Sequence, residues 1–267
     1  MSGLVTLLTD FGLRDPWVAE VKGALHAAWA RHPRLACRPE VVDLGHDLPP
    51  GDIAAASWFL RRAAATFPPG TVHLVVVDPG VGSERPALAC AAAGQRFVGP
   101  GNGLFSFLKD EPDLVVVRLE ALCGRGHPRH GGVSATFHGR DLFAPAAARL
   151  ALGEPPELLG PLDDVAALGA DPAMGEGPRL VWIDRFGNGI SDLRRDGEAA
   201  ARLAAGARLD VAGVDVPGPF ACYAEAPPGL PFWYWGSDGT LEVAVPGGSA
   251  AQVLGLRTGL ALRVLDP

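Results

Sequence analysis

Residues 74–85 read LVVVDPGVGSER, and this stretch decides how the chain folds. The β-branched run Val75-Val76-Val77 shows no polar alternation, which predicts a strand covered on both faces of a sheet. Pro79, Gly80 and Gly82 then predict a tight turn. Asp78 is thereby placed at the carboxyl end of a central strand, the edge where open α/β sheets bind their ligands. The same residue also suits a turn cap, and this stretch alone leaves both roles open.

Working outward, residues 4–8 read as a first strand ending in Thr9-Asp10-Phe11-Gly12. Asp15-Pro16 predicts a helix start, with Asp as cap and Pro in the first helical position. Trp17, Val21, Ala24, Leu25 and Ala28 give that helix an apolar stripe. Next come a strand over 40–44, a His46-Asp47 turn and a helix from 52 to about 65. Strand and helix alternating at this rhythm predict an α/β domain with a mostly parallel sheet and helices on both faces. Further strands are expected over 86–93, 95–98 and 113–119, a Gly-rich loop over 123–133, and a helix from the 136–141 segment to about 152.

Residues 154–178 are rich in Pro, Gly, Asp and Ala with little periodicity, which predicts an α/β domain over 1–160, a linker over 161–178 and a second domain over 179–267. In that second domain, short strands over 179–184, 207–216, 241–245 and 260–265 between Gly/Pro turns predict a small all-β barrel or compact sandwich.

At 267 residues and 48% hydrophobic, the chain is long enough for a proper core in each domain. No apolar run reaches the ~18 residues of a membrane span. The start, MSGLVTLLTDFG, lacks a basic leader and a cleavage-type end, so it reads as a strand of a cytoplasmic protein. A net charge of −7 argues against nucleic acid as the main partner. Cys37, Cys90, Cys123 and Cys222 lie far apart without a CxxC pair, which supports neither a zinc site nor a disulfide framework.

Several residues stand where chemistry is possible. Asp10, at a strand end, could accept two hydrogen bonds from a vicinal diol such as ribose, or simply cap its turn. The surrounding DFG is not a kinase motif, since no Gly-rich loop, strand Lys or HRD stretch precedes it. Gly99-Pro100-Gly101-Asn102-Gly103 lacks the spacing of the dinucleotide fingerprint and reads as a structural turn. His138, between Phe137 and Gly139 at a helix start, suits a catalytic or orienting imidazole as well as a core histidine. His127 and His130 read as solvated loop residues. Asp184, Phe186 and Asn188 could receive a base or an amino group by stacking, paired hydrogen bonds and a carboxylate, or form a capped β-turn. Ser237 is a candidate anion contact, and Trp233 in the Phe232–Trp235 run reads as core.

Taken together and in order, TDFG (9–12), VDPGVGSER (77–85), GPGNG (99–103), FHGRD (137–141), IDRFGN (183–188) and GSDGTLEVAV (236–245) resemble the S-adenosyl-L-methionine (SAM) hydroxide adenosyltransferases, relatives of the fluorinase and chlorinase. The resemblance spans nearly the whole chain. It implies an N-terminal α/β domain, a C-terminal β-barrel, and a homotrimer whose sites lie between one subunit's N-terminal domain and a neighbour's C-terminal domain. It also implies conversion of SAM and water to adenosine and L-methionine with no metal and no cofactor. By matching motif, Asp78, Arg85 and His138 would position and activate water, and Asp10 would hold the ribose. Phe186 and Asn188 would receive adenine, and Asp184 and Ser237 the methionine amine and carboxylate. Phe137 and Gly139 would line the substrate site.

The substrate's sulfonium leaves as a neutral thioether, so the enzyme's task is to hold water in line and drain a proton from it. Two alternatives share the adenosyl site: a halide-using transferase and a non-catalytic SAM-binding module. A carboxylate at position 78 would repel a halide, and the halogenating relatives carry Tyr at the matching position, so Asp78 favours water. Gly51 lacks the aromatic that the fluorinase resemblance would place there.

Overall fold

The computed structural model describes residues 3–31, 38–119, 132–172 and 177–266. The chain divides into two units, Met1–Pro172 and Ala173–Pro267. In the first, apolar strands and amphipathic helices alternate: β1 (Leu4–Thr9), α1 (Trp17–Ala30), β2 (Glu40–Gly45), α2 (Ile53–Ala64) and β3 (Val72–Val76). There follow β4 (Ala87–Ala92), β5 (Gln95–Pro100), β6 (Val115–Arg118), α3 (Ala144–Ala151) and β7 (Leu162–Asp163). They build a seven-stranded sheet of order β2-β1-β3-β5-β4-β6-β7. Strands β2, β1, β3 and β5 pair in parallel, whereas β4, β6 and β7 pair antiparallel with their neighbours. Five of the seven strands therefore point the same way, and β3, reading VHLVV, is buried along its whole length, as a strand covered on both faces requires.

The order 2-1-3 matters for function. After β1 the chain adds β2 on one side and then crosses back to add β3 on the other, so the connections diverge at the carboxyl ends of β1 and β3. A crevice forms at such a switch point. Helices cover both faces. On one, Val5 and Leu7 pack in a single core with Val21, Leu25 and Trp29 of α1 and Ala147 and Leu150 of α3, and the Trp29 indole donates to the Ala148 carbonyl at 3.1 Å. On the other, α2 brings Phe59 against Leu8 and Gly45.

Two details of α1 differ from expectation. The helix starts one residue later than Asp15-Pro16 predicts, so Pro16 takes the cap position and Asp15 lies outside it without capping. The buried stripe runs Val18, Val21, Leu25, Trp29, which turns Trp17 outward at 44% exposure. Asp52 does cap α2, accepting from the Ala55 amide at 2.9 Å. Within the stretch read as a boundary, β7 pairs with β6 and Arg118 donates to Asp163 at 2.7 Å, so the first unit runs on to Pro172.

The second unit consists of antiparallel strands: β8 (Leu180–Ile183), β9 (Gly189–Arg194), β10 (Arg208–Val211), β11 (Val214–Val216), β12 (Phe232–Trp235), β13 (Thr240–Ala244) and β14 (Leu262–Leu265). They form a three-stranded sheet, β11-β10-β14, and a four-stranded sheet, β12-β13-β9-β8. A bridge between Arg179 and Ala261 joins their edges. Both sheets share one core, with Leu209, Val211 and Leu262 from one and Leu180, Leu193, Leu241, Val243 and the buried Trp233 from the other. The antiparallel strands make the β domain expected, and two short helices, α4 (Glu198–Ala204) and α5 (Ala250–Leu254), add Leu203 and Ala250 to its core. At seven and five residues, they are too short for periodicity to reveal.

Candidate active site

A cleft of about 680 Å³ opens at the switch point of the first unit, and Asp10, Asp78, Phe137, His138 and Gly139 all line it. Asp10 sits one residue past β1, where its Oδ2 accepts from the Gly51 amide at 2.8 Å. Its loop is anchored from β2: the Gly12 amide donates to the His46 carbonyl at 2.7 Å. The buried His46 ring meets Thr9 Oγ1 at 2.9 Å and Asp43 at 3.2 Å, and Lys22 of α1 donates to Asp43 at 2.6 Å.

Asp78 follows β3 by two residues and is clamped by Arg85 from the same turn. Arg85 Nε donates to Asp78 Oδ1 at 2.9 Å and Nη2 to Oδ2. Nη2 also lies 2.8 Å from His138 Nδ1, so the guanidinium stands between carboxylate and imidazole. Both partners of the ion pair are nearly sealed from solvent, with side chains 9% (Arg85) and 5% (Asp78) exposed. Phe143 supports the group, its ring centroid 5.4 Å from the Arg85 carbon. Two close approaches bring residues 53 and 63 positions apart together. A Cβ on Gly82, whose φ is +80°, would stand 2.6 Å from the Ala135 carbonyl oxygen, and one on Gly139 only 3.1 Å from Val76 Cγ1. Glycine at both positions lets the 134–139 segment lie directly against the turn after β3. Gly139–Phe143 is a π-helical turn, a distortion that places His138 at its head rather than on a regular helix face.

The protonation of His138 follows from its partner. Arginine offers only donors, so Nδ1 must accept and the neutral ring carries its hydrogen on Nε2. Burial, followed by the positive charge of Arg85, holds the imidazole below the usual histidine value, against opposing pulls from Asp78 and Asp141. His138 is therefore neutral at pH 7.

Phe137 forms the cleft's aromatic wall, edge-on to Phe11 at 5.9 Å and to Trp17 at 5.8 Å. Behind it, Arg140 lies 4.9 Å from the ring centroid, paired with Asp141 at 2.7 Å and Glu20 at 2.7 Å. The outward turn of Trp17, read from sequence as part of the buried stripe, thus supplies a cleft wall. The Gly-rich turn is structural: Asn102 Nδ2 donates to the Val77 carbonyl at 3.0 Å, buttressing the residue before Asp78.

The second unit gathers three of its four candidates on one hairpin. Asp184 Oδ1 accepts from the amides of Phe186 at 2.9 Å and Asn188 at 2.8 Å, and Oδ2 accepts from Asn188 Nδ2 at 2.7 Å. That is the capped turn allowed for Asp184, and it leaves Phe186 77% exposed at the apex while Asn188 is buried. Ser237 is exposed in the turn between β12 and β13. Of the hydrogen-bonded Tyr223, Tyr234 and Glu242, the last two gave no sequence signal beyond strand alternation, and Tyr223, in a turn, gave none. Nor did Phe143, whose role depends on the fold. His127, His130 and most of the 123–133 loop lie outside the described residues, as do Cys37 and Cys123; Cys90 is buried and Cys222 exposed, both free. Among the described residues no group of three or more His, Cys, Asp or Glu is placed to hold a metal ion, and no helix is long and apolar enough to cross a membrane.

Comparison with known proteins follows the same division. Residues 5–160 match the family model of the SAM hydroxide adenosyltransferase N-terminal domain, and residues 179–263 that of the C-terminal domain. An (R)-S-adenosyl-L-methionine hydrolase from Thermus thermophilus is 44% identical, covering 98% of this chain and 99% of its own. One from Salinispora tropica is 37% identical over 97% of each. A fluorinase from Actinopolyspora mzabensis is more distant, at 25% identity over 98% of this chain and 96% of its own. The crystal structure of an uncharacterized conserved protein from Thermotoga maritima superposes with a TM-score of 0.82 at 28% identity, covering 97% of this chain and 99% of the other. With both domains matched in order and hydrolase relatives aligned over nearly the full length, the chain belongs to the SAM hydroxide adenosyltransferase family.

Proposed function

We propose that this protein is a SAM hydrolase that forms adenosine and L-methionine. The observation carrying this reading is the Asp78–Arg85–His138 group at the wall of the switch-point cleft. A carboxylate there suits a water-derived nucleophile and repels a halide.

Water attacks C5′ in line; the C5′–O bond forms as the C5′–S bond breaks, and its electron pair stays on sulfur as the neutral thioether of methionine. Because His138 is neutral with its hydrogen on Nε2, it acts as a donor towards the attacking oxygen. Asp78 retains lone pairs beyond those used by Arg85 and can take a hydrogen bond from the water, with the released proton passing on to solvent. Arg85 holds both in place and lends positive charge as the oxygen becomes hydroxide-like. Positioning of this sort accounts for most of what a self-activated substrate needs. Asp10 binds the ribose diol, Phe137 and Gly139 flank the reacting centre, Phe186 and Asn188 receive adenine, and Asp184 and Ser237 take the amino-acid end. We further read the working form as a cytoplasmic homotrimer acting without a metal or cofactor. Sedimentation and retained turnover after exhaustive chelation test those two points.

The decisive experiment is incubation with SAM in ¹⁸O-water, with and without chloride. Adenosine carrying one ¹⁸O at O5′ is expected in both. A 5′-halo nucleoside would transfer the protein to the halide users, and ligand retention without turnover would make it a binding module.

A further inference from the structure

Residues 137–141 read Phe-His-Gly-Arg-Asp, and the proposed chemistry draws on only the first three. Arg140 and Asp141 do not line the cleft. Their contacts nevertheless close around the residues that do. Arg140 Nε donates to Asp141 Oδ1 at 2.7 Å and Nη2 to Oδ2 at 2.9 Å, a bidentate pair between sequence neighbours. Nη1 donates to Glu20 Oε2 on α1 at 2.7 Å, across 120 positions of chain. Every nitrogen of the guanidinium is thus engaged, and its carbon lies 4.9 Å from the Phe137 ring centroid.

Asp141, only 3% exposed, closes the segment on itself. Its Oδ2 also accepts from the Ser134 amide at 3.0 Å, and its own amide donates to the Phe137 carbonyl at 3.2 Å. Glu20 lies three positions after Trp17, whose ring meets Phe137 edge-on at 5.8 Å. Helix α1 therefore grips the segment twice, through a ring and through a carboxylate. His138 sits inside this frame, its Nδ1 held by Arg85 at 2.8 Å from the turn after β3. A hydrogen bond weakens steeply with angle and distance, so that contact lasts only while the backbone at 137–139 keeps its place.

We propose that Glu20, Arg140 and Asp141 form an outer clamp that holds Phe137 and His138 in reacting register against Arg85. The proposal rests on the reading that His138 donates to the attacking water. All three are positioning residues, since none lines the cleft. Arginine is needed at 140 because its planar fork grips one carboxylate with two nitrogens while the third reaches another. Lysine supplies a single point charge and cannot hold both.

The test compares wild type with Arg140→Lys, which keeps a cation beside the buried Asp141, and with Glu20→Ala, at a side chain 34% exposed. In SAM hydrolysis, Arg140→Lys should lower kcat by about tenfold to a hundredfold with KM within about threefold, because a displaced group costs that much at the chemical step. Glu20→Ala should lower kcat by about threefold, and the double variant should be no worse than Arg140→Lys, since one clamp is lost only once. A second readout is independent of turnover. The ring ¹⁵N shifts of His138 at neutral pH should show a single tautomer in wild type, with its hydrogen on Nε2. In Arg140→Lys the two shifts should move towards each other as the contact with Arg85 loosens. A merely structural role would lower the melting temperature and leave kcat per folded molecule and the tautomer unchanged. An unchanged kcat in an active protein, a rise in KM alone, or an unmoved tautomer in every folded variant overturns the clamp and leaves the hydrolase reading intact. Should Arg140→Lys fail to fold, Glu20→Ala decides by the same two readouts. Wild type without turnover, with the tautomer shifting as described, would remove the hydrolase reading alone.

Discussion

The cleft of the first unit and the hairpin of the second solve opposite problems. In the cleft, Asp78, Arg85 and His138 come from segments up to 60 residues apart in sequence, and they meet because two glycines let the 134–139 segment lie against the end of β3 and the turn after it. In the hairpin, Asp184, Phe186 and Asn188 lie within five residues and hold their own geometry through one carboxylate. The cleft therefore depends on the whole fold for its chemistry, whereas the hairpin needs only its own turn to present a ring and an amide. Sealed charges sit in the first and an exposed aromatic in the second, which suits reaction in one and recognition in the other.

Substitution at Asp78 should separate these roles most sharply. Asp78→Asn keeps the shape but removes the charge that clamps Arg85, and turnover of SAM should fall by roughly 10³-fold or more. Single-turnover rates and equilibrium binding, measured together, should show the loss almost entirely in the chemical step. Near-wild-type turnover would detach the triad from catalysis. Asp78→Ala should be equally inactive but less stable, because it leaves a buried guanidinium without its partner at a cost of about 3–5 kcal/mol.

How much of this could be read beforehand follows from the same contrast. The strand-end position of Asp78 was legible because an unalternated Val run followed by Asp-Pro-Gly is a local signal. The Asp184 turn was legible for the same reason. What escaped was everything set by register across distance. Arg85 between Asp78 and His138, rather than beside one of them, depends on the meeting of β3 with the 134–139 segment. Trp17 belonged to the apolar stripe in sequence, yet α1 packs its Val18, Val21, Leu25, Trp29 face inward and leaves Trp17 to line the cleft. The short helices α4 and α5 and the strand β9, interrupted by Asp192, offer too few periods to register. Tyr234 and Glu242 are ordinary strand residues until β12 and β13 pair and place them opposite one another.

Acid should strike the two units unequally, because all seven histidines lie at or before position 138. His73 is fully buried between Thr6 at 2.7 Å and Gln95 at 3.2 Å, and burial lowers it to about 4. The unfolded chain takes that proton near 6.5. Between those values the unfolded state binds more protons, so the neutral ring's contribution is complete above pH 6.5 and is lost as pH falls towards 4. The loss amounts to about 3 kcal/mol. Denaturant melts with hydrogen exchange resolved by unit should show the first unit weakening from pH 6.5 to 4.5 while the second holds, and His73→Gln should flatten the dependence. The same sign applies to His138: activity should stay level through neutrality and fall on an acid limb below the ordinary histidine value. An acid limb at or above 6.5 would contradict a neutral, Arg-paired imidazole.

The smallest effect tests the hairpin alone. Phe186 is 77% exposed and packs in none of the described cores, so Phe186→Ala should change stability by no more than about 0.5 kcal/mol. Stacking of a base on an aromatic ring is worth about 1–3 kcal/mol, so KM for SAM should rise by roughly tenfold with kcat little altered. Phe186→Tyr, which keeps the face, should restore KM to within about twofold. A fall in kcat of the size expected for Asp78→Asn would mean that the hairpin takes part in the reaction itself, and the division between a reacting cleft and a recognising turn would be lost. An unchanged KM would instead remove the base from Phe186 while leaving Asp78, Arg85 and His138 as they are.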